Sequence, residues 1–173
     1  MSARDFSKVS PALWRSPRFQ ALSDREQKTF LYFITNSHID SSGVYHLPDL
    51  YACSKSDLNM DLAEYEAARA ACIEAGMIDY DPDHSVVLID RWFKHNPPTS
   101  PDYATGVLRR IGKVESERLR AKALAAFEPE HEAMRARLAE KEVAKALRKA
   151  NVDTKSIMGA NDRLINTLSR ARG

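Results

Sequence analysis

The period of the apolar positions changes several times along the chain, and each change predicts an element. Ser23 with Glu26 three residues later has the form of a capping box. Phe30, Leu31, Phe33 and Ile34 then recur at helical spacing to about Asn36. Turn residues fill 37–43. Val44, Tyr45 and His46 read as a short extended piece, and Leu47-Pro48-Asp49-Leu50 opens a second, short helix with proline near its first turn. After a connection over 54–59, Asp61 or a neighbour caps a third helix that runs to about Ala75. Its expected inner face is Leu62, Tyr65, Ala68, Cys72 and Ile73, and Gly76 is placed to stop it. Two strands, 77–80 and 85–89, flank the turn Asp81-Pro82-Asp83-His84, and Trp92 and Phe93 close the domain. Residues 95–101 hold three prolines and mark a boundary.

Ahead of this block lies an arm with apolar anchors Val9, Leu13, Trp14 and Phe19, in which Pro11 and Pro17 prevent a long helix. Trp14 and Phe19 are expected to pack on the domain. Behind the block, Val107, Leu108, Ile111, Leu119, Leu124 and Phe127 predict helices near 102–113 and 116–127. Pro129 is expected to start a long charged helix to about Ala150, with Met134, Leu138 and Leu147 as a thin apolar stripe. A polar gap over 151–159 then precedes a short amphipathic piece. The expected organisation is an arm (1–20), a core domain (21–96), a basic helical continuation (97–128), and a charged C-terminal helix with an amphipathic tail (129–173). Helix, strand, helix, helix and hairpin in that order match a winged helix-turn-helix. The expected fold class is therefore mostly α with a small β wing, followed by a helical extension.

The charge distribution complicates that reading. The 173 residues carry a formal net charge of +2. Residues 1–96 hold 10 Lys/Arg and 14 Asp/Glu, whereas residues 97–173 hold 16 and 10. Acidic and basic halves are thus joined in one chain. The third helix offers Asp61, Glu64, Glu66 and Glu74 against a single Arg69, and the hairpin adds Asp79, Asp81 and Asp83 with only His84 at its tip. Carboxylates facing phosphates forfeit the counterion release that supplies most non-specific affinity. Base reading by this helix is therefore disfavoured, and use of the domain for protein contact or dimerisation is favoured. The candidate DNA contacts lie elsewhere, in the cluster Arg109, Arg110, Lys113, Arg118, Arg120 and Lys122, with Lys94, Arg15 and Arg18 able to extend it. On a helix, Arg109, Lys113 and Arg110 share a face opposite Leu108 and Ile111. The cluster reads either as a phosphate-contacting patch or as a solvated helix surface. Leu164, Ile165 and Leu168 in the last amphipathic piece read either as a docking peptide for a partner's groove or as a frayed tail.

No catalytic signature is legible. The five histidines share no ligand spacing, and His131-Glu132 lacks the second histidine of a zinc-protease helix. With six glycines in all, there is neither a phosphate-cradling loop nor a Gly-x-Ser-x-Gly elbow. No enzyme activity, metal or cofactor is expected. Cys53 and Cys72 match no metal or redox spacing and read as buried free thiols in a reducing compartment. The first residues lack the apolar region of a signal peptide, and no apolar run approaches the roughly 20 residues that span a bilayer. A cytoplasmic protein without membrane contact is expected.

Three stretches carry a family resemblance: LWRSPRFQALSDREQKTFLYFIT, GVYHLPDL, and EAARAACIEAGMIDYDPDHSVVLIDRWFKHNPP. With Trp14 in the arm, Gly43-Val44 entering the strand, Ala75-Gly76 ending the third helix, and Trp92-Phe93-Lys94-His95-Asn96 after the hairpin, the chain resembles the N-terminal winged helix of phage replisome-organiser and DnaD-like primosomal proteins. The segment TGVLRRIGKVESERLRAKALAAF resembles the helical continuation common in that group, which brings the coverage to about residues 9–127. The resemblance implies replication initiation or helicase recruitment, carries no catalytic residues, and implies self-assembly through the winged helix. The expectation is a non-enzymatic replication protein of phage or prophage type. It would bind DNA, contact a replication protein such as a helicase or helicase loader, and be capable of forming a homo-oligomer. The alternatives are a winged-helix transcriptional regulator that binds an operator as a dimer, and an inhibitor that presents an acidic winged helix to a protein.

Overall fold

The computed structural model describes the backbone of residues 7–170 and the side chains of residues 7–148. The described residues are mostly helical, with one small antiparallel sheet, as expected at that level. A 3-10 turn (Pro11–Arg15) leads into α1 (Pro17–Gln20), α2 (Asp24–Thr35), β1 (Val44–His46), α3 (Asp49–Ala52), α4 (Leu62–Glu74), β2 (Ile78–Asp81), β3 (Val86–Ile89), α5 (Trp92–His95), α6 (Pro101–Ile111) and α7 (Glu117–Arg170). The chain divides into two compact units after Glu132.

Local signals place the ends of the helices. The backbone N–H of Ser23 donates to Glu26 Oε2 at 2.7 Å, closing the capping box of α2. Asp61 Oδ1 accepts from the Glu64 N–H at 2.8 Å and caps α4. At the other end of α4, Gly76 adopts φ +63°, and the N–H of Met77 reaches back to the Cys72 carbonyl at 3.0 Å, which gives the helix a left-handed stop. Asn36 terminates α2 with its side chain. Its Nδ2 donates to the Tyr32 carbonyl (2.9 Å) and the Tyr45 hydroxyl (2.8 Å), while its Oδ1 accepts from the N–H groups of His38 (2.8 Å) and Ile39 (3.1 Å). One buried amide thereby ends a helix, shapes the following loop and meets β1.

The sheet order is β1-β3-β2, with Val44 opposite Leu88, Ile78 opposite Ile89 and Tyr80 opposite Val87. The central strand β3 is buried along its whole length. Around it the core gathers Phe19, Phe30, Phe33, Tyr65, Leu47 and Phe93. Aromatic edges meet at Phe19–Phe30 (centroids 5.9 Å apart) and Phe33–Tyr65 (6.2 Å), and α7 joins through Phe93–Phe127 (4.9 Å).

Several expected positions differ. Tyr65, Ala68 and Cys72 form the inner face of α4, but Leu62 is 45% exposed and Ile73 39% exposed. Ile73 lies one residue beyond Cys72, about 100° around the helix, and Leu62 sits at the very start of α4. Leu108 and Leu124 are also exposed, so Leu108 does not share the buried side of α6 with Ile111. In the arm, Phe19 is fully buried, whereas Trp14 is 58% exposed and touches the domain edge-on through Phe19 at 5.4 Å. Cys72 is buried but Cys53 only partly so. The hairpin strands start one residue later than expected, and Asp81 belongs to β2 rather than to the turn.

The largest difference is in α7, which is one continuous helix. It neither begins at Pro129 nor breaks over 151–159. Proline inside a helix removes one hydrogen bond and typically costs about 3 kcal/mol. Here Phe127 packs on Phe93 and stacks on His131 (5.2 Å, 22°), so aromatic contacts hold the turns on both sides of Pro129.

Gly43 turns the chain into β1 at φ +65°, and a Cβ there would stand 2.2 Å from Trp92 Cγ. Gly76 shares the positive φ, but its nearest neighbour is Arg18 Nη1 at 3.5 Å. Gly76→Ala is expected to cost only the conformational penalty, about 1 kcal/mol. Gly43→Ala adds the clash with the indole and is expected to cost about 3 kcal/mol. Denaturant unfolding of both variants checks the difference.

Candidate nucleic-acid interface

The acidic hairpin and the basic continuation meet. Asp79 on β2 accepts from Arg118 Nη1 with both carboxylate oxygens, at 2.9 Å each, and from Lys122 Nζ at 2.8 Å. Arg118 Nη2 also donates to the Tyr80 carbonyl at 2.8 Å. Arg118 and Lys122 are four residues apart, one turn of α7, so both reach the same carboxylate. Next to them, the Ser116 hydroxyl donates to Asp81, which also meets the Asp83 N–H at 3.1 Å and His84 Nδ1 at 3.2 Å. Burial alone raises the pKa of Asp79, but the hydrogen bonds and charges of Lys122 and Arg118 outweigh it and hold the carboxyl below its ordinary value. Asp81 is likewise lowered, chiefly by the Ser116 hydroxyl.

The one basic residue of α4 is also engaged. Arg69 pairs with Asp49 of α3 and lies 4.0 Å over the Tyr80 ring, while the Tyr80 hydroxyl donates to the same Asp49 at 3.1 Å. This group ties α3, α4 and β2 together. No free cation is left on α4.

The remaining candidates separate into two groups. Arg18 donates to the Gly76 carbonyl (2.5 Å) and to Asp90 (2.9 Å), fastening the arm, and Arg120 donates to the Val114 carbonyl at 2.9 Å. Lys94 and Arg18 line a cavity of about 240 Å³ under the arm, while Arg15 is exposed on the 3-10 turn. Arg109, Arg110 and Lys113 come together on a different feature. They line one wall of a groove of about 600 Å³ whose other wall is β1 and the loop after α2, including His38, Asp40 and His46. Arg110 is partly held there, by Ser41 Oγ at 3.0 Å and Asp40 at 3.4 Å. Arg109 and Lys113 are exposed and have no hydrogen-bond or ion-pair partner among the described residues. Hence the structure divides the expected cluster. Arg118 and Lys122 turn to the hairpin, and Arg109, Arg110 and Lys113 face the groove.

Two residues beside the groove carry no sequence motif. The rings of His38 and Tyr51 are stacked, with centroids 5.6 Å apart and planes at 29°, and both side chains are exposed. Asp40 is an ordinary turn residue, accepting from the Ser42 N–H at 2.7 Å. His38 shares that loop, and only the fold shows its partner. Leu164, Ile165 and Leu168 fall in the helical backbone of α7, and their side chains lie outside the described residues. Burial, then the charge of Glu26, pushes the Cys72 thiol up to about 12, so it stays protonated at neutral pH. Among the described residues there is no cluster of three metal-ligating side chains, and no helix is long and apolar enough to cross a membrane. Comparison with known protein families, curated proteins and solved structures finds no significant match to this chain.

The clamp on Asp79 has a defined pH signature. Its pKa is depressed on folding, so the stabilisation is complete above the ordinary carboxylate value and is lost as pH falls through the lower folded value. Asp79→Asn is expected to lower stability by about 1 kcal/mol at neutral pH. The gap between variant and parent should close in acid below the folded pKa of Asp79. Denaturant melts of both proteins across that range measure it.

Proposed function

We propose that residues 21–96 form a winged helix-turn-helix within a non-enzymatic DNA-replication initiation protein of phage or prophage type. Nucleic acid is held by the groove beside α6, and the winged helix serves largely for protein contacts. The observation that carries the DNA assignment is the pair Arg109 and Lys113. They are exposed cations on a groove wall with no carboxylate partner among the described residues, whereas Arg69, Arg118 and Lys122 are engaged by Asp49 and Asp79. Cations free of intramolecular partners can release counterions from phosphate without first breaking an ion pair. The replication role rests on the sequence resemblance, from the Trp14 arm to the Trp92–Asn96 run.

Protein contact by the winged helix is supported by the outer face of α4, where exposed Leu62 and Ile73 stand among Glu66 and Glu74. Such a mixed apolar and acidic face suits a protein partner better than a phosphate backbone. A replication protein such as a helicase or its loader, or a second copy of the chain, would dock there or on Leu164, Ile165 and Leu168. The same face supports the inhibitor reading, in which it alone carries the function. Operator reading by α4 has less support, because the single arginine of that helix is bound to Asp49.

Salt-dependent binding of fluorescent oligonucleotides tests the assignment. Arg109→Glu with Lys113→Glu is expected to weaken binding alike for all sequences. It should flatten the slope of log K against log salt by about 1 for each phosphate contact removed. An unchanged slope removes the groove from the proposal. Binding of no DNA, together with a stable protein complex, favours the inhibitor.

A further inference from the structure

The groove has two features that a phosphate-binding wall does not need. One is the exposed His38 in its lining, on whose ring Tyr51 stacks from outside that lining, and the other is the hydrogen-bonded seat of His38. Resting on the nucleic-acid reading above, we infer that the groove takes a single nucleic-acid strand, with Tyr51 and His38 as the platform for an unpaired base and Arg109 and Lys113 as contacts to the adjoining phosphates.

An exposed aromatic ring offers apolar area that a stacking ligand can remove from water, and Tyr51 is 57% exposed. Its ring stacks on that of His38 with the planes at 29°, an arrangement a base can extend by stacking on a face. The seat is set before any ligand arrives. Asn36 Oδ1 holds the backbone N–H of His38, and the Asn36 amide is itself fixed by Tyr45, whose hydroxyl donates to the Phe33 carbonyl at 2.6 Å. A platform ordered by buried hydrogen bonds loses little entropy on binding. Tyr51 stands on α3, which Arg69 ties to α4 through Asp49.

Charge also favours one strand over two. The groove wall carries Arg109, Arg110 and Lys113, but also Asp40 and Glu115. Asp40 is occupied by Arg110 and Ser42, and Glu115 is exposed. So small an excess of positive charge is weak against the phosphate rows of a duplex, whose bases are stacked away from any outside ring. A single strand presents base faces and phosphates together, and stacking adds a contribution that does not depend on sequence. The site is therefore expected to combine a shallow salt dependence with a strong dependence on Tyr51.

The test uses the full chain and four probes: fluorescein-labelled oligo-dT and oligo-U of about fifteen nucleotides, a hairpin duplex, and a random-sequence single strand. Fluorescence anisotropy is expected to show at least one single strand bound about ten-fold more tightly than the duplex, with little sequence preference. Oligo-dT and oligo-U differ in the sugar and in the base methyl group, and the tighter of the two identifies the preferred strand chemistry. Tyr51→Ala is expected to weaken single-strand binding about ten-fold, leaving duplex binding and the salt slope unchanged, and Tyr51→Phe to restore it. Because Tyr51 is exposed, a melting curve superimposable on the parent's separates lost stacking from lost folding. Equal binding of duplex and single strands, or a Tyr51→Ala variant that binds like the parent, overturns the inference and leaves the groove as a duplex contact. Absence of binding to every probe overturns both the inference and the nucleic-acid assignment beneath it.

Discussion

Asp79 decides which cations of this chain are available. It sits on a partly buried strand and would be costly to leave unpaired. Arg118 and Lys122 from a single turn of α7 supply three hydrogen bonds to it. That one carboxylate joins the acidic first half of the chain to the basic second half. It also fixes the direction of the first turns of α7. Of a row of six basic residues, Arg118 and Lys122 face the hairpin, Arg109, Arg110 and Lys113 face the groove, and Arg120 bonds back to the Val114 carbonyl. The modest net charge of the protein conceals this, because the opposed halves neutralise each other at a contact rather than on average.

The same economy of polar groups recurs at Arg69 and Asn36. Arg69 is the residue a DNA-reading helix would be expected to present, yet it binds Asp49 and covers Tyr80, so its role is to bind three elements together. Asn36 satisfies two amide hydrogens and two carbonyls beside it while meeting Tyr45. Such a node keeps a loop of polar residues in one shape, because any other shape strands buried donors. The groove wall formed by that loop inherits its order from Asn36 rather than from hydrophobic packing.

What was legible in the sequence follows the range of the interactions involved. The caps at Ser23 and Asp61, the stop at Gly76, the strand at Val44 and the hairpin were readable because each is encoded within a few residues. Leu62 and Ile73 are apolar and near helical spacing, which predicts burial, while their exposure depends on where neighbouring elements end. Pro129 predicts a helix start because its cost is local, whereas its compensation, Phe127 against Phe93, joins residues far apart in the chain. The Arg118–Asp79 clamp and the Tyr51–His38 stack belong to the same class. Nothing near Arg118 distinguishes it from Arg109, and only the fold sends one to a carboxylate and the other to solvent.

The approach of Trp92 to Gly43 couples two positions far apart in the chain. The indole fills the volume that a side chain at position 43 would need, and its Nε1 donates to the Ser41 carbonyl at 3.0 Å in the same turn. The two positions therefore form a single packing unit. As long as the tryptophan stays, any side chain at 43 meets the indole. With a smaller ring at 92 the clash is relieved, but φ +65° still favours glycine at 43.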